Sequence, residues 1–177
     1  YTELLSVVFQ DYKLFAFSVW ENITLGRKYN ETKIMEAIEK SGLEAKIKSL
    51  EKGTETAISR DFDADGIEFS GGESQKLACA KAYYKDAPIV ILDEPTAALD
   101  PVAENELYTR FNNIIGEKTT LYISHRLASV KFCDKVAVFA DGRLTEYGTH
   151  QDLMQRQGLY ADMYKKQAQF YMEEVPV

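Results

Sequence analysis

Apolar positions along the chain follow two periods. Leu4-Leu5-Ser6-Val7-Val8-Phe9 is a nearly unbroken apolar run and predicts a buried strand, with Gln10-Asp11 at its carboxyl end. Ile89-Val90-Ile91-Leu92 is β-branched and uninterrupted, the pattern of a strand buried on both faces, and Asp93 and Glu94 emerge together where it ends. Thr119-Thr120-Leu121-Tyr122-Ile123 predicts a third strand, followed by Ser124-His125-Arg126. Helical spacing appears elsewhere. Ile34, Met35, Ala37 and Ile38 mark a helix over 33–41, with Thr32 as cap and Gly42 as stop, and a short helix follows over 44–50. Leu77, Ala80 and Tyr84 form one apolar face of a helix that ends before Pro88. Pro101 opens a helix over 102–115, with Leu107, Phe111, Ile114 and Ile115 on its apolar face and Gly116 at its end.

The tail is equally readable. Lys135 to Ala140 and Arg143 to Tyr147 flank Asp141-Gly142, a dipeptide that favours the primed turn joining two twisted strands, so a hairpin is expected. Two helices, over 149–157 and 159–172, close the chain. Between the first strand and the first helix lies an aromatic stretch, Leu14-Phe15-Ala16-Phe17-Ser18-Val19-Trp20, running into a segment that Gly26 can terminate. An exposed apolar patch is expected there.

Two stretches carry candidate chemistry. Ser70-Gly71-Gly72-Glu73 opens the helix before Pro88: Ser70 suits the N-cap and Glu73 completes a capping box. Asp93-Glu94, at the carboxyl end of a buried strand, lies on the edge where open α/β sheets bind their ligands. Between Glu51 and Glu68 the sequence turns polar, and Asp61, Asp63 and Asp65 alternate before Gly66. That is half of a calcium-loop pattern, but the glutamate such a loop needs would be Glu73, which the capping box uses. A solvated acidic loop is the preferred reading.

Composition narrows the setting. The 177 residues are 45% hydrophobic and 28% charged, enough for a sizeable core in one domain, with room for a subdomain. A net charge of −7 gives no general attraction to nucleic acid or to anionic lipid. Cys79 and Cys133 lack metal spacing and are expected to fill core space in a reducing compartment. No apolar run approaches the roughly 20 residues of a membrane helix, and no signal peptide opens the chain.

The run from Phe69 to Asp100, FSGGESQKLACAKAYYKDAPIVILDEPTAALD, resembles the signature motif, Walker B strand and D-loop of ATP-binding cassette (ABC) ATPases. The usual signature reads LSGGQ, so Phe69 and Glu73 depart from it. Gln10 matches the family's Q-loop and His125 its switch histidine, and DGRLTEYGTH with the helices after it is similar to the exporter subgroup. The Gly-Glu-x-Gly element of many exporters is not clearly present before the signature. The resemblance implies an α/β fold: a P-loop NTPase-like, mostly parallel sheet with an inserted α-helical subdomain over 11–78. It places the ATPase core at 1–10 and 79–177, ending in a C-terminal β-hairpin and helices.

A phosphate-binding loop, G-x-x-x-x-G-K-[ST], is not found, and the sequence contains no Gly-Lys dipeptide. The chain is therefore expected to be the carboxyl-terminal portion of an exporter nucleotide-binding domain. Its sheet would lack the first core strand, between the His125 strand and the Val136 strand, and the chain alone would be inactive. For the intact dimer the resemblance implies ATP and Mg²⁺ as cofactors. Asp93 would hold the metal through water, Glu94 would polarise the attacking water, His125 would stabilise the transferring phosphoryl group, and Gln10 would complete the metal and water positions as a catalytic and metal-binding residue. Ser70, Gly71, Gly72 and Glu73 would close over nucleotide held by the other subunit, and Asp100 would couple the two sites. The implied partners are a second nucleotide-binding domain and a transmembrane domain, with no nucleic acid, at the cytoplasmic face of the membrane.

Three alternatives stand beside this reading. A chromosome-maintenance ABC ATPase shares the motifs but would show long heptads, and none are seen. A non-catalytic nucleotide-binding half is opposed by the presence of Glu94 and His125. A purely structural fragment would assemble through exposed strand edges.

Overall fold

A computed structural model describes residues 1–11, 13–59, 63, 65–95, 118–130 and 133–173. Asp61, Asp100 and the predicted helix over 102–115 lie outside the described residues. The chain forms two compact units, Tyr1–Ile123 and Ser124–Val177.

The first unit is built on a parallel sheet of three strands, β1 (Leu5–Val8), β2 (Ile89–Asp93) and β3 (Thr119–Ile123), with β2 in the middle. Leu5 pairs with Ile89 and Ile89 with Thr119, so all three strands run level to the same carboxyl edge. Leu4 belongs to a 3₁₀ turn and Phe9 is exposed, so β1 is shorter than its apolar run suggests. Burial of β2 is also less than expected. Val90 and Leu92 are buried with Val8, Ala78 and Cys79, whereas Ile89 and Ile91 on the opposite face remain partly exposed. The fully buried positions are those turned toward the helix over Gly71–Lys85, because that helix supplies the packing surface.

The helices precede β2. α1 (Val19–Thr24) starts at Ser18, whose hydroxyl accepts from the Glu21 N–H while the Glu21 carboxylate accepts from the Ser18 N–H. α1 covers only part of the aromatic stretch, and its C-cap is Leu25 in the left-handed region, one residue before the expected Gly26. α2 (Glu31–Ser41) is capped by the Asn30 side chain, not by Thr32, and stops at Gly42, whose φ of 75° suits glycine. α3 (Glu44–Ser49) and α4 (Gly71–Lys85) follow. The polar segment between them holds a 3₁₀ turn over Gly53–Glu55 and short bridges of Ser18 to Ala57 and Ile58 to Ile67.

α4 has two apolar faces, which explains its position between two cores. Leu77, Ala80 and Tyr84 pack with Val19, Ile23, Ile34, Ile38 and Leu43, while Ala78 and Cys79 pack on the sheet.

In the second unit α5 (Leu127–Val130) precedes the hairpin β4 (Val136–Ala140) and β5 (Arg143–Gly148). Asp141 and Gly142 both have positive φ, 50° and 72°, as the primed turn requires. α6 (His150–Arg156) is capped by Thr149, and α7 (Leu159–Glu173) follows. Leu127, Val130, Val136, Val138, Leu153 and Tyr160 form this unit's core. Cys79 is buried as expected, but Cys133 is only partly so. No helix among the described residues is long and apolar enough to cross a membrane.

Candidate functional site

Parallel register brings two of the sequence-selected groups to one edge. Val8 pairs with Leu92, so Gln10 and Asp93-Glu94 both follow the carboxyl ends of neighbouring parallel strands. Asp93 is the last residue of β2 and pairs with Ile123. Glu94 turns out of the strand with φ of 44°, a left-handed conformation that costs a non-glycine residue on the order of 1 kcal/mol. Its N–H donates to the Ile123 carbonyl at 2.9 Å, which offsets that cost and fixes the carboxylate-bearing residue to β3. Oxygen donors from a carboxylate and an amide at one sheet edge are the hard ligands that Mg²⁺ takes, so Asp93 and Gln10 fit the ion in kind. Among the described residues there is no cluster of three or more His, Cys, Asp or Glu side chains able to hold a metal.

The segment after Gln10 is held from two sides. Asn22, fully buried on α1, accepts from the Phe15 N–H at 2.9 Å and donates to the carbonyls of Phe15 at 2.9 Å and Ser18 at 3.0 Å. From α4, the Lys81 ammonium donates to the Lys13 carbonyl at 3.1 Å and lies 5.6 Å from the Phe15 ring centre. Burial holds the Lys81 pKa below the usual lysine value. Phe15 and Phe17 stack at 6.0 Å while remaining 48% and 55% exposed, which is the apolar patch expected in this stretch. Nothing in the sequence singled out Asn22 or Lys81, since one is a polar residue inside a helix and the other one lysine among many.

The signature residues make a second cluster. Ser70 has extended backbone (φ −62°, ψ 163°) and forms the predicted capping box with Glu73 at the start of α4. Lys46 on α3 forms an ion pair with Glu73 at 3.1 Å, and its ammonium also lies 5.5 Å from the Phe69 ring centre. Partial burial works to raise the Glu73 pKa, but the Ser70 N–H and Lys46 outweigh it and hold the carboxyl below the usual range.

His125 stands two residues past β3, exposed, in a tight turn. The Ser124 hydroxyl accepts from the Arg126 N–H at 2.9 Å. Gln167 of α7 brackets the same turn: its amide nitrogen donates to the His125 carbonyl at 2.8 Å and its amide oxygen accepts from the Leu127 N–H at 2.5 Å. Tyr160, Tyr164 and Gln167 recur at i, i+4 and i+7, one face of a helix, and the two tyrosines pack in or against the core. That spacing was the available signal for Gln167.

A parallel sheet with acidic and amide groups past its carboxyl ends, packed by a serine-capped glycine-pair helix, places the chain among α/β proteins. The sequence profile of the ABC transporter family matches residues 1–97, more than half of the 177, and the chain belongs to that family. It is 36% identical over 165 residues to an ATP-dependent lipid A-core flippase of Paraburkholderia xenovorans, covering 93% of this chain and 27% of that protein. The flippase of the same name from Xylella fastidiosa is 39% identical over 163 residues, with 92% and 27% covered. A solved bacterial Atm1-family ABC exporter with ATP bound superposes with a TM-score of 0.85 at 33% identity, covering 94% of this chain and 29% of that one. The chain thus spans about a quarter of the length of the curated relatives it matches.

Proposed function

We propose that the whole protein hydrolyses ATP to drive export across a membrane, and that this chain supplies the carboxyl-terminal part of its nucleotide-binding domain. The observation that carries the reading is the parallel pairing of β1 with β2, whose carboxyl ends lead into Gln10 and Asp93-Glu94. The exporter and flippase likenesses support the coupling to transport. In this proposal residues 11–78 are the helical subdomain and 1–10 with 79–177 the ATPase core. The domain works as a dimer beside a transmembrane domain on the cytoplasmic face.

Each residue then has one task. Asp93 and Gln10 would hold Mg²⁺, which would neutralise phosphate charge when bound. Glu94 accepts a proton from the attacking water, and His125 supplies a hydrogen bond to the phosphoryl group in transfer. Ser70, Gly71 and Gly72 present the start of α4, with its N–H groups and positive dipole end, to nucleotide held by the partner domain. Glu73 fixes Ser70 through the capping box, and Asp100 links the two sites.

The test uses the full-length protein. Glu94→Gln keeps the shape and removes the base, so hydrolysis falls by about 10²–10⁴-fold. Mg-ATP binding survives and closed dimers accumulate by light scattering. Wild-type turnover in this variant, or a variant that stays open with ATP, removes Glu94 from the role of base.

A further inference from the structure

The two positions at which this chain leaves the LSGGQ pattern, Phe69 and Glu73, meet at one side chain. Lys46 pairs with the Glu73 carboxylate at 3.1 Å and lies over the Phe69 ring at 5.5 Å. Lys46 and Glu73 are 28% and 27% exposed, so water screens the pair only in part. A glutamate at the third position of α4 suits the helix, because it closes the capping box and answers the positive end of the dipole. It does not suit a phosphate. An unneutralised carboxylate at that helix start would repel the polyphosphate that the same N–H groups are proposed to face.

We propose that Lys46 is a positioning residue that neutralises Glu73, with Phe69 as the aromatic seat that keeps its ammonium in place, so that a signature carrying an acid still accepts ATP. The inference rests on the reading of Ser70 to Glu73 as a nucleotide-facing helix start. Lys46 acts through Glu73 and touches no substrate. α3 positions it: Leu43 and Ile47 are buried in the helical core on either side of Lys46, and the helix turns the lysine toward the start of α4. A cation over a ring face gains most where water is partly excluded, as Phe69 provides by packing against that same core.

The experiment is a charge cycle in the full-length protein, with Michaelis constants for Mg-ATP as the readout. Lys46→Met keeps the aliphatic stem and loses the charge. It raises KM on the order of tenfold, the scale of one unscreened charge near a phosphate, while kcat at saturating ATP moves less than threefold. Lys46→Arg restores the wild-type KM. In a Glu73→Gln background the Lys46→Met change has no further effect, because the charge it neutralised is gone. An unchanged KM in Lys46→Met overturns the proposal. So does an equal penalty in the Glu73→Gln background, which would make Lys46 a packing residue. Lys46→Gln replaces Lys46→Met if the latter fails to fold. The reading it rests on fails separately: Ser70→Ala with wild-type KM and wild-type ATP-driven closure removes the start of α4 from the nucleotide, whereas an unchanged KM in Lys46→Met beside a defective Ser70→Ala overturns the neutralisation alone.

Discussion

Ser70 and Glu73 close each other's open backbone groups at the start of α4: the Ser70 N–H donates to the Glu73 carboxylate at 2.8 Å, and the Glu73 N–H donates to the Ser70 hydroxyl at 3.3 Å. The same helix start is proposed to face nucleotide, so stability and function share one hydroxyl. Ser70→Ala removes the cap at a cost of about 1 kcal/mol. In the full-length protein it also weakens ATP-driven closure, unlike Glu94→Gln, which promotes it. Thermal melting and light scattering with Mg-ATP separate the two effects.

Acid weakens three helix starts together. Glu21, Glu73 and Asp152 are the acids of the capping boxes of α1, α4 and α6, and each is held below its usual pKa. For Glu21 and Asp152 the main cause is the hydrogen bonding to Ser18 and Thr149; for Glu73 it is the Ser70 and Lys46 contacts, against burial. A depressed folded pKa stabilises above the unfolded value and is lost as pH falls through the folded one. Stability is therefore expected to be flat from pH 7 to about 5 and to decline below about 4. Urea titrations across that range check the onset, and Glu73→Gln should make the decline shallower.

The stacked Phe15 and Phe17 sit beside the segment that leads from Gln10, and Asn22 anchors both. Phe15→Asp or Phe17→Asp places charge in an exposed apolar patch that is proposed to meet the transmembrane domain. The whole protein should keep its basal ATPase activity and lose the stimulation that transport substrate gives; unchanged stimulation would end the contact assignment. Asn22→Ala strands the buried N–H and carbonyls it now serves and should destabilise the fold by roughly 1–3 kcal/mol.

Gln167 tests how the His125 turn is held. Gln167→Leu removes both of its bonds, so amide exchange at residues 125–127 accelerates in the full-length protein and kcat falls more than KM changes. Rates of exchange equal to wild type would show that Ser124 alone fixes the turn.

Burial pushes the Cys79 thiol up to about 12, and Cys133 is raised as well, by burial and by the charge of Asp134. At pH 8 the buried Cys79 stays a thiol, so it should resist thiol reagents until the chain unfolds. Labelling with and without denaturant, read by mass spectrometry, decides this.

Local rules determined much of this protein by themselves. The capping box at Ser70, the primed turn at Asp141-Gly142 and the three strands followed from short-range steric and hydrogen-bonding preferences, which act over a few residues and leave a mark in the sequence. The motifs from Phe69 to Glu94 pointed to the family for the same reason, because each is contiguous. Tertiary structure decided what depends on distant partners. Bringing Gln10 and Asp93-Glu94 to the ends of neighbouring strands needs the pairing of β1 with β2, and the left-handed turn at Glu94 needs the Ile123 carbonyl. Lys46 joins Glu73 across 27 positions, and Gln167 reaches His125 across 42. Packing left Ile89 and Ile91 partly exposed, whereas the Asn30 cap found in place of Thr32 is a local bond to the Lys33 N–H. Caps, turns and periods are written where they act; a charge pair, a clasp or a strand register exists only once packing has chosen which faces meet.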